Sequence, residues 1–264
     1  MNTERIPSGV PGLDELIDGG IPRGFMVAVV GEPGTGKTAM SIQFIAKGLE
    51  TGDKAVYVTT EESRESILRQ AERFNIGLKP YIEEGRLVVV DALMGEYGDV
   101  WSLKELDVEE LVSTVIEAKK YLGPGHARLV VDSMSAFWLD KPAMARKYSY
   151  HVKRVLSKWG FTMLVTSQYA VTTQLGFGFG IEHVADGVIR LRKSVVKGFL
   201  KRFLVIEKMR LTNHDQRVFE IEVVDGVGVR VNGPVKASRW DLALPPDVVA
   251  RLIESGFDRL EYEG

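Results

Sequence analysis

Short apolar runs alternate along the chain with amphipathic stretches. The first clear run, Phe25-Met26-Val27-Ala28-Val29-Val30, contains no polar side chain and stops at Gly31. A run of this kind predicts a buried strand. Ala39 to Leu49 follows with helical spacing. The same order then repeats. A strand is predicted over Ala55 to Thr60, and a helix over about Ser63 to Phe74. Leu87-Val88-Val89-Val90-Asp91 and Leu129-Val130-Val131-Asp132-Ser133 predict two further strands, each ending in Asp. A helix over Asp107 to Tyr121 lies between them. A basic helix over Lys141 to Trp159 leads to a strand over Phe161 to Thr166. Such alternation predicts an α/β fold.

Other stretches break the alternation. Ser8 to Gly24 holds a short helix around Leu13 to Ile17, stopped by Gly19-Gly20. Ala92 to Leu106 has no period and reads as a surface loop, with Trp101 expected to pack beneath it. Tyr169 to Gly180 is a glycine-rich loop on which Phe177 and Phe179 alternate. From residue 187 onward the pattern is β-rich: 187–192, 199–208, 218–224 and 227–231, with Asp225-Gly226 as a hairpin turn. In the tail, 240–264, Pro245-Pro246-Asp247 starts an amphipathic helix to about Glu254.

Composition narrows the chemistry. The chain has 264 residues, so it can bury a large α/β core. Its net charge of −2 gives no global pull towards nucleic acid. It has no cysteine, which removes thiol catalysis and Cys-based zinc sites and suits a reducing cytoplasm. No apolar run approaches a membrane span of about 20 residues, and the first residues lack the apolar core of a signal peptide. The four histidines lack metal-ligand spacing.

Gly31-Glu32-Pro33-Gly34-Thr35-Gly36-Lys37-Thr38 fits the phosphate-binding pattern G-x-x-x-x-G-K-[ST] at every fixed position. The predicted strand before it and helix behind it are the context that the pattern requires. Glycines let the backbone approach a phosphate, and the helix that begins near Ala39 offers its positive end to the same anion. Lys37 is placed to reach the β- and γ-phosphates and Thr38 to ligate Mg2+. ATP and Mg2+ are the expected cofactors. Glu61 and Glu62 end the predicted second strand, beside the loop, where a carboxylate can deprotonate the attacking water. The same residues also read as a capping box, with Thr59 as the cap. Asp91 and Asp132 are both candidates for the magnesium-side acid, and pattern alone does not separate them.

The order S-G-x-x-G-L-D-E-L, G-G-I-P-x-G and G-E-P-G-T-G-K-T resembles the RecA/KaiC superfamily of ATPases. The likeness runs from about Ser8 to Val231 and is strongest to single-unit archaeal KaiC-like proteins, also described as paralogues of the recombinase RadA. It implies a single RecA-like domain over 1–264, with a mostly parallel twisted sheet flanked by helices and an antiparallel extension near the C-terminus. By resemblance, Glu61 is the catalytic base with Glu62 in support. Asp132 is the magnesium-side acid, and Gln168 senses the γ-phosphate. Glu207-Lys208-Met209-Arg210-Leu211-Thr212 resembles the K-x-R-x-T strand whose Lys and Arg reach a neighbouring subunit's γ-phosphate. Arg202 and Asp225 fall where that family touches adenine.

Those positions imply a homo-oligomer, a hexameric ring or a filament. A basic stripe from Arg190 to Arg210, with Glu207 its only acid, together with the Phe177/Phe179 loop, points to single-stranded DNA and a role in recombination or repair. The alternative is a regulatory switch whose ATP state controls a protein partner, with possible autophosphorylation. Small-molecule phosphotransfer is disfavoured by Glu61-Glu62 together with Lys208-x-Arg210.

Overall fold

The structure is a computed structural model, and it describes residues 3–92, 99–168 and 180–235. The expected helix 245–254, Phe177 and Phe179 lie outside the described residues. A two-stranded ribbon, β1 (Arg5–Ile6) and β2 (Ile21–Pro22), flanks a 3-10 turn over Asp14–Ile17. β3 (Met26–Gly31) leads into α1 (Lys37–Glu50), β4 (Lys54–Thr59), α2 (Arg64–Arg73), α3 (Lys79–Glu83) and β5 (Leu87–Asp91). α4 (Val108–Leu122), β6 (Ala127–Asp132), α5 (Ala145–Leu156), β7 (Phe161–Ser167) and α6 (Ile181–Val184) follow. The described chain ends in β8 (Gly187–Val196), β9 (Phe199–Met209), β10 (Phe219–Val224) and β11 (Gly228–Pro234).

Nine strands form one sheet in the order β11-β10-β9-β8-β3-β7-β6-β4-β5. β8, β3, β7, β6, β4 and β5 run parallel, and β9 to β11 add antiparallel strands at one edge. The expected α/β class and C-terminal extension are both present.

Period-two alternation assigns each strand residue to one of two cores. Val27, Val29, Tyr57 and Val89 face α1 and α2. Met26, Ala28, Val30, Val58 and Val131 face α4 and α5 on the other side. Both faces are covered, which is why these strands read as continuous apolar runs. α5 buries Ala145, Ser149, Val152 and Leu156 along one stripe and leaves Arg146, Lys147 and Arg154 exposed. The helix expected over Lys141 to Trp159 is α5 with a 3-10 turn at each end, Pro142–Met144 and Ser157–Trp159. Trp101 packs against Tyr121, with ring centroids 5.5 Å apart, as expected of a packing residue.

Two expectations change. The cap of α2 is Ser63, whose hydroxyl accepts from the Ser66 amide, so Thr59 is not the cap. Thr59 instead donates to the Glu62 carbonyl at 2.7 Å. β4 is also not beside the loop strand: β7 and β6 stand between β4 and β3. The second difference arises from long crossovers, because sequence order says little about strand order.

A buried ion cluster ties the lower ends of β4 and β6 to α1. Arg128 is fully buried beneath α1, where Gly48 leaves it room: a Cβ there would lie 2.3 Å from the Arg128 Cδ. Arg128 donates to Asp53 at 2.9 Å and to the Phe44 carbonyl at 2.9 Å. His126 bonds the other Asp53 oxygen at 2.8 Å. Burial acts to raise the Asp53 carboxyl, but hydrogen bonds from His126 and Arg128 outweigh it and hold the group below its usual value. A depressed carboxyl stabilises the fold above its unfolded pKa of about 4 and loses that contribution as pH falls through the folded value. Acid unfolding below about pH 4 is therefore expected to depend on Asp53. Asp53→Asn should flatten the fall in melting temperature over that range; an unchanged acid limb would place the sensitivity elsewhere.

Candidate nucleotide site

β3 ends at Gly31, and α1 begins at Lys37 with Gly36 as its N-cap. Gly34 and Gly36 have φ of 78° and 104°, backbone that L side chains rarely adopt. At Gly31 a Cβ would lie 2.5 Å from the Leu191 carbonyl oxygen. The loop is thus a glycine-dependent cradle at the positive end of a 14-residue helix. The Lys37 ammonium folds into it, donating to the Gly31 and Glu32 carbonyls at 2.9 Å each. Burial lowers the Lys37 pKa, while Asp132 and Glu61 act against that. Thr35 closes the turn by donating to the Glu32 carbonyl at 2.8 Å. Pro33 and Gly34 are exposed at the rim, Thr38 is half-buried in the first turn of α1, and Ala39 is buried behind it.

Two cations from the β8–β9 hairpin lean on this rim. Lys193 donates to the Pro33 carbonyl at 2.7 Å, and Arg202 to the Gly34 carbonyl at 2.9 Å. They are cross-strand partners. Lys193 escaped the sequence reading because only the hairpin register brings it to the loop. Arg202 stands at the rim of the loop. Asp225 lies in the β10–β11 turn, exposed and paired with Arg73 at 2.6 Å.

Asp132 ends β6 and is 8% exposed. Tyr57 donates to one carboxylate oxygen at 2.9 Å and Thr166 to the other at 2.5 Å. Burial, then the Asp132 charge, pushes the Tyr57 pKa well up, so its hydroxyl stays protonated as a donor. Asp91 is employed elsewhere: its carboxylate accepts the Arg64 amide at the start of α2, at 2.8 Å. The acids that act on the loop lysine include Asp132 and Glu61. With Thr38, they offer hard oxygen donors of the type that suits Mg2+.

Glu61 sits in a closed hydrogen-bond circuit. Ser133 donates to one of its oxygens at 2.6 Å and the Gln168 amide to the other at 2.5 Å. The Ser133 and Ser135 hydroxyls are 2.9 Å apart, and the Gln168 backbone N–H donates to Ser135 at 3.1 Å. Three strand ends, those of β4, β6 and β7, thereby aim one exposed carboxylate and fix it to Gln168. This circuit spans the two strands that separate Glu61 from the loop strand. Ser133 and Ser135 left no signal in the sequence, since a serine after a strand reads as a cap. Glu62 points away: its carboxylate accepts from Ser66 and Gln70 on α2.

Lys208 and Arg210 lie at the far end of the sheet. Met209 is level with Gly187 and Gly31 with Leu191, so four strand positions, about 13 Å, separate them from the loop of their own chain. Lys208 donates to the Ala185 carbonyl at 2.6 Å. Burial and the neighbouring Arg210 lower its pKa, against Asp186. Arg210 bonds Asp186 at 3.1 Å, and Lys153 bonds the same oxygen at 2.6 Å. Three cations of the basic stripe pair with acids: Arg190 with Glu207, Lys201 with Glu220, and Arg210 with Asp186.

The family profile described as ATPase: KaiC matches residues 6–236. A UPF0273 protein of Thermotoga maritima is 38% identical over 226 residues, covering 84% of this chain and 93% of that protein. A UPF0273 protein of Methanopyrus kandleri is 38% identical over 238 residues, covering 88% and 93%. The crystal structure of the KaiC-like protein PH0186 from Pyrococcus horikoshii superposes with a TM-score of 0.73 at 30% identity, over 88% of this chain and 100% of that one. With its RecA-type sheet and phosphate-binding loop, the chain belongs to the KaiC family of ATPases.

Proposed function

We propose that the chain binds ATP with Mg2+ at the Gly31–Thr38 loop and hydrolyses it in a head-to-tail assembly, as one ATPase unit per chain. The observation that carries this reading is the split of its charged groups. The loop, Asp132 and the Glu61 circuit are at one end of the sheet, and Lys208 and Arg210 are at the other. Backbone N–H groups of the loop and Lys37 hold the phosphates. Thr38 and Asp132 would hold Mg2+, which spreads the charge of the phosphates. Glu61 accepts a proton from the attacking water. Gln168, bonded to that carboxylate, couples it to the γ-phosphate. Lys208 and Arg210 serve the loop of the next copy, where positive charge stabilises the transferring phosphoryl group. Arg202 and Lys193 border the nucleotide from their own chain, and Asp225 borders the base. Glu62 supports the base indirectly, by fixing the start of α2 behind it.

Of the two roles drawn from the sequence, the regulatory switch has more support than action on single-stranded DNA. The pairing of Arg190 and Lys201 with acids weakens the stripe as a phosphate track.

Removal of the loop lysine tests the binding step. A hydrogen bond to a charged group is worth about 1.5–3 kcal/mol, so Lys37→Ala should weaken binding of a fluorescent ATP analogue by roughly tenfold to a hundredfold or more. Unchanged affinity would remove the loop from nucleotide binding.

A further inference from the structure

The β8–β9 hairpin does not end at the phosphate loop. Leu191 is level with Gly31, and the two strands continue past it to Val196 and Phe199. Five further positions carry the tip about 17 Å beyond the loop level. Lys197 and Gly198, both at positive φ, form a two-residue turn of the type that joins such strands. The tip is apolar and open to solvent. Val195 is 70% exposed, Phe199 72% and Leu200 53%. Val195 pairs with Leu200 and Val196 with Phe199, so one apolar pair lies on each face of a small projection, joined at its tip. Contiguous exposed apolar surface marks an interaction site.

The opposite end of the same ribbon carries a second exposed apolar residue. Leu211 follows Arg210 directly and is 74% exposed, at a φ of 54°. A head-to-tail contact uses two different patches of one subunit, one at each end, and a closing rotation turns such contacts into a ring. The tip projects past the loop at the same end of the sheet, and Leu211 stands beside Lys208 and Arg210. If Arg210 of one copy reaches the loop of the next, the tip that projects past that loop faces the end that bears Leu211.

We infer that the β8–β9 tip, through Val195, Val196, Phe199 and Leu200, docks on a second copy of this chain at the end of its sheet marked by Arg210 and Leu211. The inference rests on the head-to-tail reading above and adds the surface that makes the contact. Apolar burial at the tip holds the copies together, and the adjacent cations are thereby brought to the neighbour's phosphates. Binding and charge stabilisation are thus carried by two ends of one ribbon.

The chain contains no cysteine, so single introduced thiols report contacts cleanly. Leu200→Cys and Leu211→Cys proteins are to be mixed and treated with a flexible bis-maleimide. A dimer-sized product is expected in the mixture and not in either protein alone. Phe199→Ser with Leu200→Ser should lower the assembled fraction in sedimentation at least tenfold, while circular dichroism and ATP-analogue binding stay unchanged. Cross-linking of Leu200→Cys with itself would overturn the inference, as would retained assembly of the serine variant, even if the wild-type tip then bound anionic vesicles or an oligonucleotide. If the mixture gives no product while Lys37→Ala and Arg210→Ala proteins restore each other's activity, tip docking is wrong and the head-to-tail site stands. If both experiments fail, both readings fall.

Discussion

Glu61→Gln protein is expected to bind ATP as tightly as the native chain and to hydrolyse it about 10²- to 10⁴-fold more slowly. The two side chains have the same shape, so the strand end and the loop are left intact. Lys37 and the loop amides, which bind the phosphates, are untouched. What is lost is the group able to take the proton from water. The circuit can stay closed. An ionised carboxylate accepts from Ser133 and from Gln168 at once. A glutamine can keep both contacts, its oxygen accepting from Gln168 and its amide donating to the Ser133 hydroxyl, which turns to donate to Ser135. Glu62→Gln supplies the contrast. Its carboxylate bonds Ser66 and Gln70 on α2, so hydrolysis should fall little. Single-turnover phosphate release beside equilibrium binding separates these outcomes. Native rates from Glu61→Gln protein would remove Glu61 as the base.

Arg210→Ala is expected to reduce hydrolysis by about 10³-fold or more with little change in ATP affinity, the size seen when a guanidinium supplied to a phosphoryl transfer is removed. A role in the chain's own site is sterically remote, because the side chain starts at the far end of β9 and is held by Asp186. That ion pair involves a half-exposed arginine, so its loss should cost the fold at most about 1 kcal/mol. A large fall in melting temperature would point to a structural role instead. The Asp186 carboxylate also takes Lys153 and the Met26 amide, and these remain in the variant.

The elements that could be read from the sequence are those whose signal is local. The apolar run into Gly31-Glu32-Pro33-Gly34-Thr35-Gly36-Lys37-Thr38 shows β3, the loop and α1 without any knowledge of the rest. The β-rich C-terminal pattern shows β8 to β11. The order of strands was not local. Glu61 was expected beside the loop strand, yet β6 and β7 intervene, and Ser133, Ser135 and Gln168 bridge the gap. None of those serines carries a pattern of its own. The cap of α2 was misplaced because Thr59 and Ser63 both precede a helical stretch, and only the backbone decides between them. Lys193 reaches the loop solely through hairpin register. The short α3 and the β1–β2 ribbon were missed for the same reason: too few residues to show a period. Where the stripe of basic residues read as a nucleic-acid track, the fold supplies Glu207, Glu220 and Asp186 as partners, all three distant in sequence from the cations they meet.

The central claim is that one copy completes the site of the next. Its direct measurement is ATP hydrolysis by a mixture of Lys37→Ala and Arg210→Ala proteins, each inactive alone. Lys37→Ala protein keeps Arg210, and Arg210→Ala protein keeps an intact loop. Mixed assemblies therefore contain junctions in which a native Arg210 faces a native loop. Activity that rises above the sum of the two parts, and peaks at intermediate ratios, is the predicted result. A mixture that stays at the sum of its parts at every ratio, although sedimentation shows the two proteins co-assembled, would contradict the account.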